Sequence, residues 1–247
     1  MIFVTGDTHG NFLRFSMEHF PEQKQMGRND YVIICGDFGG LWDDSAEERH
    51  WLDWLNDKPF TTLWVDGNHE NYDMLKNIPV EDWHGGKAQR IRPNILHLMR
   101  GQLYEIEGYT FFTMGGARSH DIGDGVLDSQ APDFNVRYRR LKARKASFRV
   151  LGRSWWPEEM PSDEEYQAAL KTLERVNWDV DYVVTHCGPT SVVKQLDSRY
   201  GSDPLTDFLE RVRKKIRCHY WLFGHYHDNQ IIDDQYVLLW EQIVQVL

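Results

Sequence analysis

Five strand-like runs of this chain end directly in side chains that can ligate metals. Ile2 to Val4 leads into Gly6-Asp7-Thr8-His9-Gly10, Tyr31 to Cys35 into Gly36-Asp37, and Thr61 to Val65 into Gly67-Asn68-His69-Glu70. Further on, Tyr182 to Thr185 meets His186, and Tyr220 to Phe223 meets Gly224-His225-Tyr226-His227. Each run has the length and the β-branched or aromatic content of a strand. In open α/β sheets ligands collect beyond the carboxyl ends of the strands, so clusters scattered along the sequence can converge on one crevice.

The rest of the chain supports an α/β reading. Ile95 to Met99, Tyr109 to Met114 and Tyr236 to Trp240 add strands, and Gln102 to Gly115 and Gln230 to Trp240 read as hairpins around Glu107-Gly108 and Asp233-Asp234. Ser45 to Glu48 and Ser162 to Glu165 have the form of capping boxes, and Asp203-Pro204 places an N-cap before a first-turn proline. Leu205, Phe208, Leu209, Val212 and Ile216 then mark one apolar helix face. A mixed sheet, or two packed sheets, is expected. We expect one domain over residues 1–247, with a cap-like insertion at about 117–160 that is too long for an ordinary connection.

Composition narrows the function classes. A hydrophobic share of 41% with 13% aromatics is globular, and no apolar run approaches the roughly 18 residues of a membrane helix. The start of the chain lacks the pattern of a secretory signal, so a cytoplasmic location is expected. Three scattered cysteines form no disulfide framework and are expected to be reduced and mostly buried. A net charge of −10 opposes a general nucleic-acid coat. Against that background, Arg137, Arg139, Arg140, Lys142, Arg144, Lys145, Arg149 and Arg153 form a basic stretch with no acid among them. It reads either as a solvated helix face or as a strip that draws a phosphorylated substrate.

The strand-end set consists of carboxylate, imidazole and amide, with no thiolate. Such donors suit Mn, Fe, Zn or Ni, and the imidazoles argue against a site for Mg or Ca alone. Any one of these short motifs is commonplace; their order, each after a strand, is specific.

In that order (Asp-x-His, Gly-Asp, Gly-Asn-His-Glu, a lone His, Gly-His-x-His) the sequence resembles the calcineurin-like metallophosphoesterase superfamily from Asp7 to His227. The resemblance implies a four-layer αββα sandwich of two mixed β-sheets with two divalent ions, Mn foremost, at its edge. It assigns Asp7, His9 and His227 to one ion, Asn68, His186 and His225 to the other, and Asp37 to a bridge between them. It implies in-line attack on phosphorus by a metal-bridging hydroxide, with His69 as general acid or electrostatic stabiliser. Asn68 would also lie against the substrate.

The pattern departs from the phosphoprotein phosphatases of that superfamily. Those continue after Gly-Asp with an Asp that orients the catalytic His and then a phosphate-binding Arg, whereas here Phe38, Gly39, Gly40 and Leu41 follow Asp37. Asp43 or Asp44 is the candidate orienting group for His69, and Arg118 the candidate phosphate grip. The expected activity is hydrolysis of a phosphomonoester or small phosphodiester, in a small molecule or a phosphoprotein. The alternatives are a metal-dependent nuclease acting on nucleic acid and a non-catalytic scaffold of the same fold; no membrane partner is expected. His19, His50, His84, His97 and His219 fit no motif and read as surface or packing residues, and His120 is open. Trp51, Leu52, Trp54 and Leu55 read as core, and Trp155-Trp156-Pro157 as an anchor of the insertion.

Overall fold

The computed structural model describes residues 1–247. In chain order, the first half runs β1 (Ile2–Thr5), β2 (Tyr31–Ile34), α1 (Ala46–Asn56), β3 (Thr61–Trp64), α2 (Tyr72–Leu75), β4 (Val80–Trp83), β5 (Gly86–Arg92), β6 (Ile95–Leu98), β7 (Gln102–Ile106) and β8 (Tyr109–Met114). There follow β9 (Val126–Leu127), α3 (Phe134–Ala143), β10 (Arg149–Val150), α4 (Asp163–Arg175), β11 (Tyr182–Thr185), α5 (Thr190–Leu196) and α6 (Pro204–Arg213). The chain finishes with β12 (Tyr220–Phe223), β13 (Gln230–Ile232), β14 (Tyr236–Leu238) and β15 (Ile243–Gln245).

Two large sheets result, ordered β15-β1-β2-β3-β6-β5-β4 and β13-β14-β12-β11-β8-β7. Each has four parallel strands at its centre, β1-β2-β3-β6 in one and β14-β12-β11-β8 in the other, flanked by antiparallel edges. The central strands are apolar on both faces, the pattern of sheets covered on both sides. Ile2, Val4, Ile33, Leu63 and Val65 face Phe111, Val184 and Leu222 in a core between the sheets. Phe3, Val32, Ile34 and Trp64 face outward and pack under Leu52 and Leu55 of α1. Phe112, Val183, Trp221 and Phe223 do the same under α4 and α6, through Ala169, Leu173, Leu205, Phe208 and Leu209. Three stacked cores make the four-layer αββα sandwich, as expected.

Local expectations fare unevenly. Ser162 and Glu165 complete a capping box, and Asp203 caps α6. Ser45 accepts from the Glu48 N–H, but the Glu48 carboxylate turns to the N–H groups of Trp42 and Asp43 instead of closing the box. The strand expected through Trp240 ends at Leu238, because the Trp240 N–H turns to Asn229 Oδ1. The β4–β5 hairpin and β15 had no counterpart in the sequence reading.

Residues 117–160 hold a small core of their own, Leu127, Leu141 and Val150, between α3 and the β9–β10 pair. Trp156 ties this segment to the main body: it is buried, meets Trp42 edge-on, and donates from Nε1 to Asp73 Oδ2 at 2.9 Å. Of the eight basic residues, Arg137, Arg144 and Arg149 pair with Asp133, Asp124 and Asp121, so part of the strip is neutralised locally. No helix is long and apolar enough to cross a membrane.

Candidate metal centre

Six parallel strands, β1, β2 and β3 of one sheet and β8, β11 and β12 of the other, release the polar loops that form the site. The loops fit because glycine lets them approach. A Cβ on Gly67 would lie 2.1 Å from Asp37 Oδ1, and one on Gly224 would lie 2.2 Å from Asp7 Oδ1. His9, Asp37, His225 and His227 themselves adopt φ of 46°, 45°, 72° and 49°. Left-handed backbone at four non-glycine residues stores local strain, which folds tolerate mainly where function needs a side chain aimed.

Two groups of donor atoms emerge. Asp7, His9 and His227 form one: His9 Nε2 lies 3.1 Å from His227 Nε2, and Asp7 Oδ2 lies 3.2 Å from His227 Nε2. Asp7 Oδ1 accepts from the His225 N–H at 3.0 Å, but Oδ2 is buried with no directed hydrogen bond. A buried carboxylate oxygen placed against a histidine nitrogen needs a proton on that ring or a cation beside it. The second group centres on His186, whose Nδ1 contacts the Cys35 carbonyl oxygen at 2.7 Å. With the Nδ1 proton given to that carbonyl, Nε2 faces Asn68 Oδ1 at 3.2 Å and Asp37 Oδ1 at 3.3 Å. The His225 ring stands 4.9 Å from that of His186.

Asp7 is common to the two groups, its Oδ1 lying 3.8 Å from His186 Nδ1, and Asp37, a member of the second, also approaches the first. Asp37 Oδ2 lies 3.8 Å from His9 Nε2, while Oδ1 faces His186 and accepts the His69 N–H at 2.7 Å. Electrostatics follow the geometry. Burial opposes charge on His186, but Asp37 and Asp7 more than offset it and push its pKa up to about 10. Burial likewise opposes charge on Asp37, and His186 overrides it, holding the carboxylate far below its usual range. Burial, with His186 and His120 beside it, lowers the His225 pKa well below the usual imidazole value. A cation between these atoms would take over the role of the His186 proton, so the donor set fits divalent ions.

Several supports were invisible in the sequence. Arg14 reaches from the first loop to the carbonyls of Asp7, at 2.6 Å, and Trp240, clamping the loop that carries Asp7. The Trp240 ring stacks on His227 at 5.1 Å. Glu70, the last residue of the Gly-Asn-His-Glu motif, accepts from the N–H groups of Phe38 and Gly67 and so joins the Asp37 and Asn68 loops. Beneath them, buried Asp66 binds Arg100, His97 and Tyr72, which confirms His97 as a packing residue.

His69 stands beside the first group, its ring 5.4 Å from that of His9. Neither Asp43 nor Asp44 orients it: Asp43 accepts from the Ser45 N–H, Asp44 pairs with Arg49, and the His69 ring has no hydrogen-bond partner in the protein. Arg118 is exposed and lines an open pocket of about 670 Å³ together with Ser119, His120, Arg199 and Tyr200. The His120 ring lies 4.7 Å from His225 and stacks on Tyr200, which puts this open residue next to the centre.

A sequence profile of the calcineurin-like phosphoesterase family matches residues 1–229, nearly the whole chain. The chain belongs to this family. Its curated relatives include the lariat debranching enzymes of Mus musculus, 21% identical over 252 residues, and of Danio rerio, 22% identical over 250. The aligned part is 91% of this chain in both, but 41% of the mouse protein and 39% of the zebrafish one. The Homo sapiens enzyme, 21% identical, has the same coverage as the mouse protein. The chain thus spans about two fifths of the length of these relatives.

Proposed function

We propose that the chain is a metal-dependent hydrolase of phosphoric esters, acting on a phosphomonoester or a small phosphodiester. The observation that carries this reading is a pair of buried carboxylates between the two donor groups: Asp37 faces His9 through Oδ2 and His186 through Oδ1, and Asp7 faces His227 through Oδ2 and His186 through Oδ1. Asp7, His9 and His227 would hold one divalent ion, Asn68, His186 and His225 the other, with Asp37 shared. Mn leads among the ions this nitrogen and oxygen set suits, ahead of Fe, Zn or Ni. Bound there, the ions supply Lewis acidity toward a phosphoryl oxygen and acidify water for attack.

The chain's own residues do the rest. His69, fixed through its backbone to Asp37 and free at its ring, holds a proton for the leaving oxygen or stabilises charge on the phosphoryl group. Arg118, which lines the pocket, offers a planar fork to non-bridging phosphate oxygens. Residues 117–160 form a cap-like insertion on a single domain. Free cysteines suit a reducing compartment, and this reading places the chain in the cytoplasm.

A second reading, a metal-dependent nuclease, draws on the relatives named as lariat debranching enzymes and on the unpaired part of the basic strip. The net charge of −10 opposes it. With added Mn, a panel of nitrophenyl phosphate, a bis-nitrophenyl diester, a phosphopeptide and single-stranded nucleic acid separates these readings. Turnover of the small esters supports the first and preference for nucleic acid the second. No turnover of any substrate contradicts both and leaves a non-catalytic fold.

A further inference from the structure

A carboxamide has two chemically opposite ends, and only its oxygen can ligate a cation. Asn68 places Nδ2 3.3 Å from Ser119 Oγ and Oδ1 3.2 Å from His186 Nε2. Rotation by half a turn would exchange these atoms at little steric cost; a proton on His186 Nε2 favours the observed orientation from one side, and Ser119 can select it from the other. Ser119 has one hydroxyl proton, and it goes to Glu159 Oε2; the Ser119 N–H goes to Glu159 Oε1 at 3.0 Å. With its proton committed, Oγ can only accept, and the only side-chain donor Asn68 offers it is Nδ2. Glu159 is 1% exposed, Ser119 4% and Asn68 4%, so water does not compete for these bonds.

Glu159 is itself held in place. It closes a short 3-10 turn, Pro157–Glu159, that follows the anchored Trp156, and the neighbouring Glu158 carbonyl accepts from Arg100 at 2.8 Å. The chain is therefore Trp156 and Arg100 fixing Glu159, Glu159 fixing Ser119, and Ser119 fixing Asn68. We propose that Glu159 and Ser119 are positioning residues that lock the Asn68 carbonyl toward the His186 side of the centre, so that the return leg of the insertion completes the second cation position. The inference rests on the metal reading above.

Glu159→Gln separates proton logic from shape. The glutamine keeps the volume and can still accept the Ser119 N–H, but it turns an N–H₂ toward Oγ. The Ser119 proton is then free to point at Asn68 and draws Oδ1 away from His186. Calorimetric titration with Mn is expected to show one of two binding events weakened about ten- to a hundredfold, the usual cost of a lost supporting bond, and the other unchanged. Ser119→Ala, which frees the amide without inverting it, should give a smaller reduction in the same event.

A metal-free measurement accompanies this one. In the wild type, a nuclear Overhauser contact between the Asn68 side-chain amide protons and Ser119 Hβ should be present, and Glu159→Gln should weaken it. If Glu159→Gln keeps both the wild-type contact and wild-type affinity, Glu159 is merely structural and the proposal is wrong. Should the wild type bind fewer than two ions while the contact behaves as stated, the metal reading fails and the orientation of Asn68 by Ser119 and Glu159 stands.

Discussion

His9 Nε2 and His227 Nε2 face one another at 3.1 Å, one from the loop after β1 and the other from the loop after β12. Asp7 Oδ2, buried and without a directed bond, completes the triangle. Three lone-pair-bearing atoms converge there, and only a proton or a cation relieves the arrangement. Without a cation, the Asp7 carboxylate raises the His227 pKa, while burial lowers that of His9. The donor atoms thus need a proton or a cation among them, and their arrangement could hold a metal ion.

His69 sits next to that triangle but shares only its backbone with Asp37. His69→Asn should therefore leave metal content unchanged while lowering turnover by about 10² to 10⁴, the range for a lost acid-base group. The loss should be smaller on nitrophenyl phosphate, whose leaving group needs no proton, than on an alkyl phosphate. Equal losses on the two substrates would remove His69 from the general-acid role.

Below the site, Arg100 is buried against Asp66 and also binds Tyr72 and the Glu158 carbonyl. Arg100→Ala strands a buried carboxylate and should cost about 3–5 kcal/mol in urea unfolding. A loss under 1 kcal/mol would show that water reaches Asp66 and replaces the guanidinium.

Arg139, Arg140 and Lys145 are exposed and have no acid partner, unlike Arg144. If the insertion caps the crevice, replacing these three with Ser raises KM for anionic substrates, flattens its salt dependence and leaves kcat nearly constant, since a surface field acts over a Debye length of roughly 8 Å. Wild-type KM at low salt for every anionic substrate would make the strip a solvated face.

The strand ends were legible because a central strand, apolar on both faces, stops abruptly at a glycine or a polar ligand, as β2 does at Gly36-Asp37. The β4–β5 hairpin was not legible: its strands mix Glu81, Asp82, Lys87 and Arg90 with few apolar residues, and its turn rests on left-handed His84 and Gly85 at φ 47° and 90°. The supports of the site were hidden for another reason. Ser119 and Glu159 lie 40 residues apart, and Arg14 reaches Trp240 across 226. Such polar pairs leave no local periodicity to read. Asp43 and Asp44, the candidate orienting groups for His69, are instead taken up around the start of α1 by the Ser45 N–H and by Arg49.

The central claim is a shared carboxylate between two cation positions, and metal stoichiometry tests it most directly. Wild-type protein loaded with Mn, freed of excess and analysed by inductively coupled plasma mass spectrometry should hold two ions per chain. Asp37→Asn, which keeps the shape and an oxygen for His69 but removes the shared charge, should hold at most one, and weakly. Saturation of the wild type at one ion or none, or two ions retained by Asp37→Asn, would contradict the account.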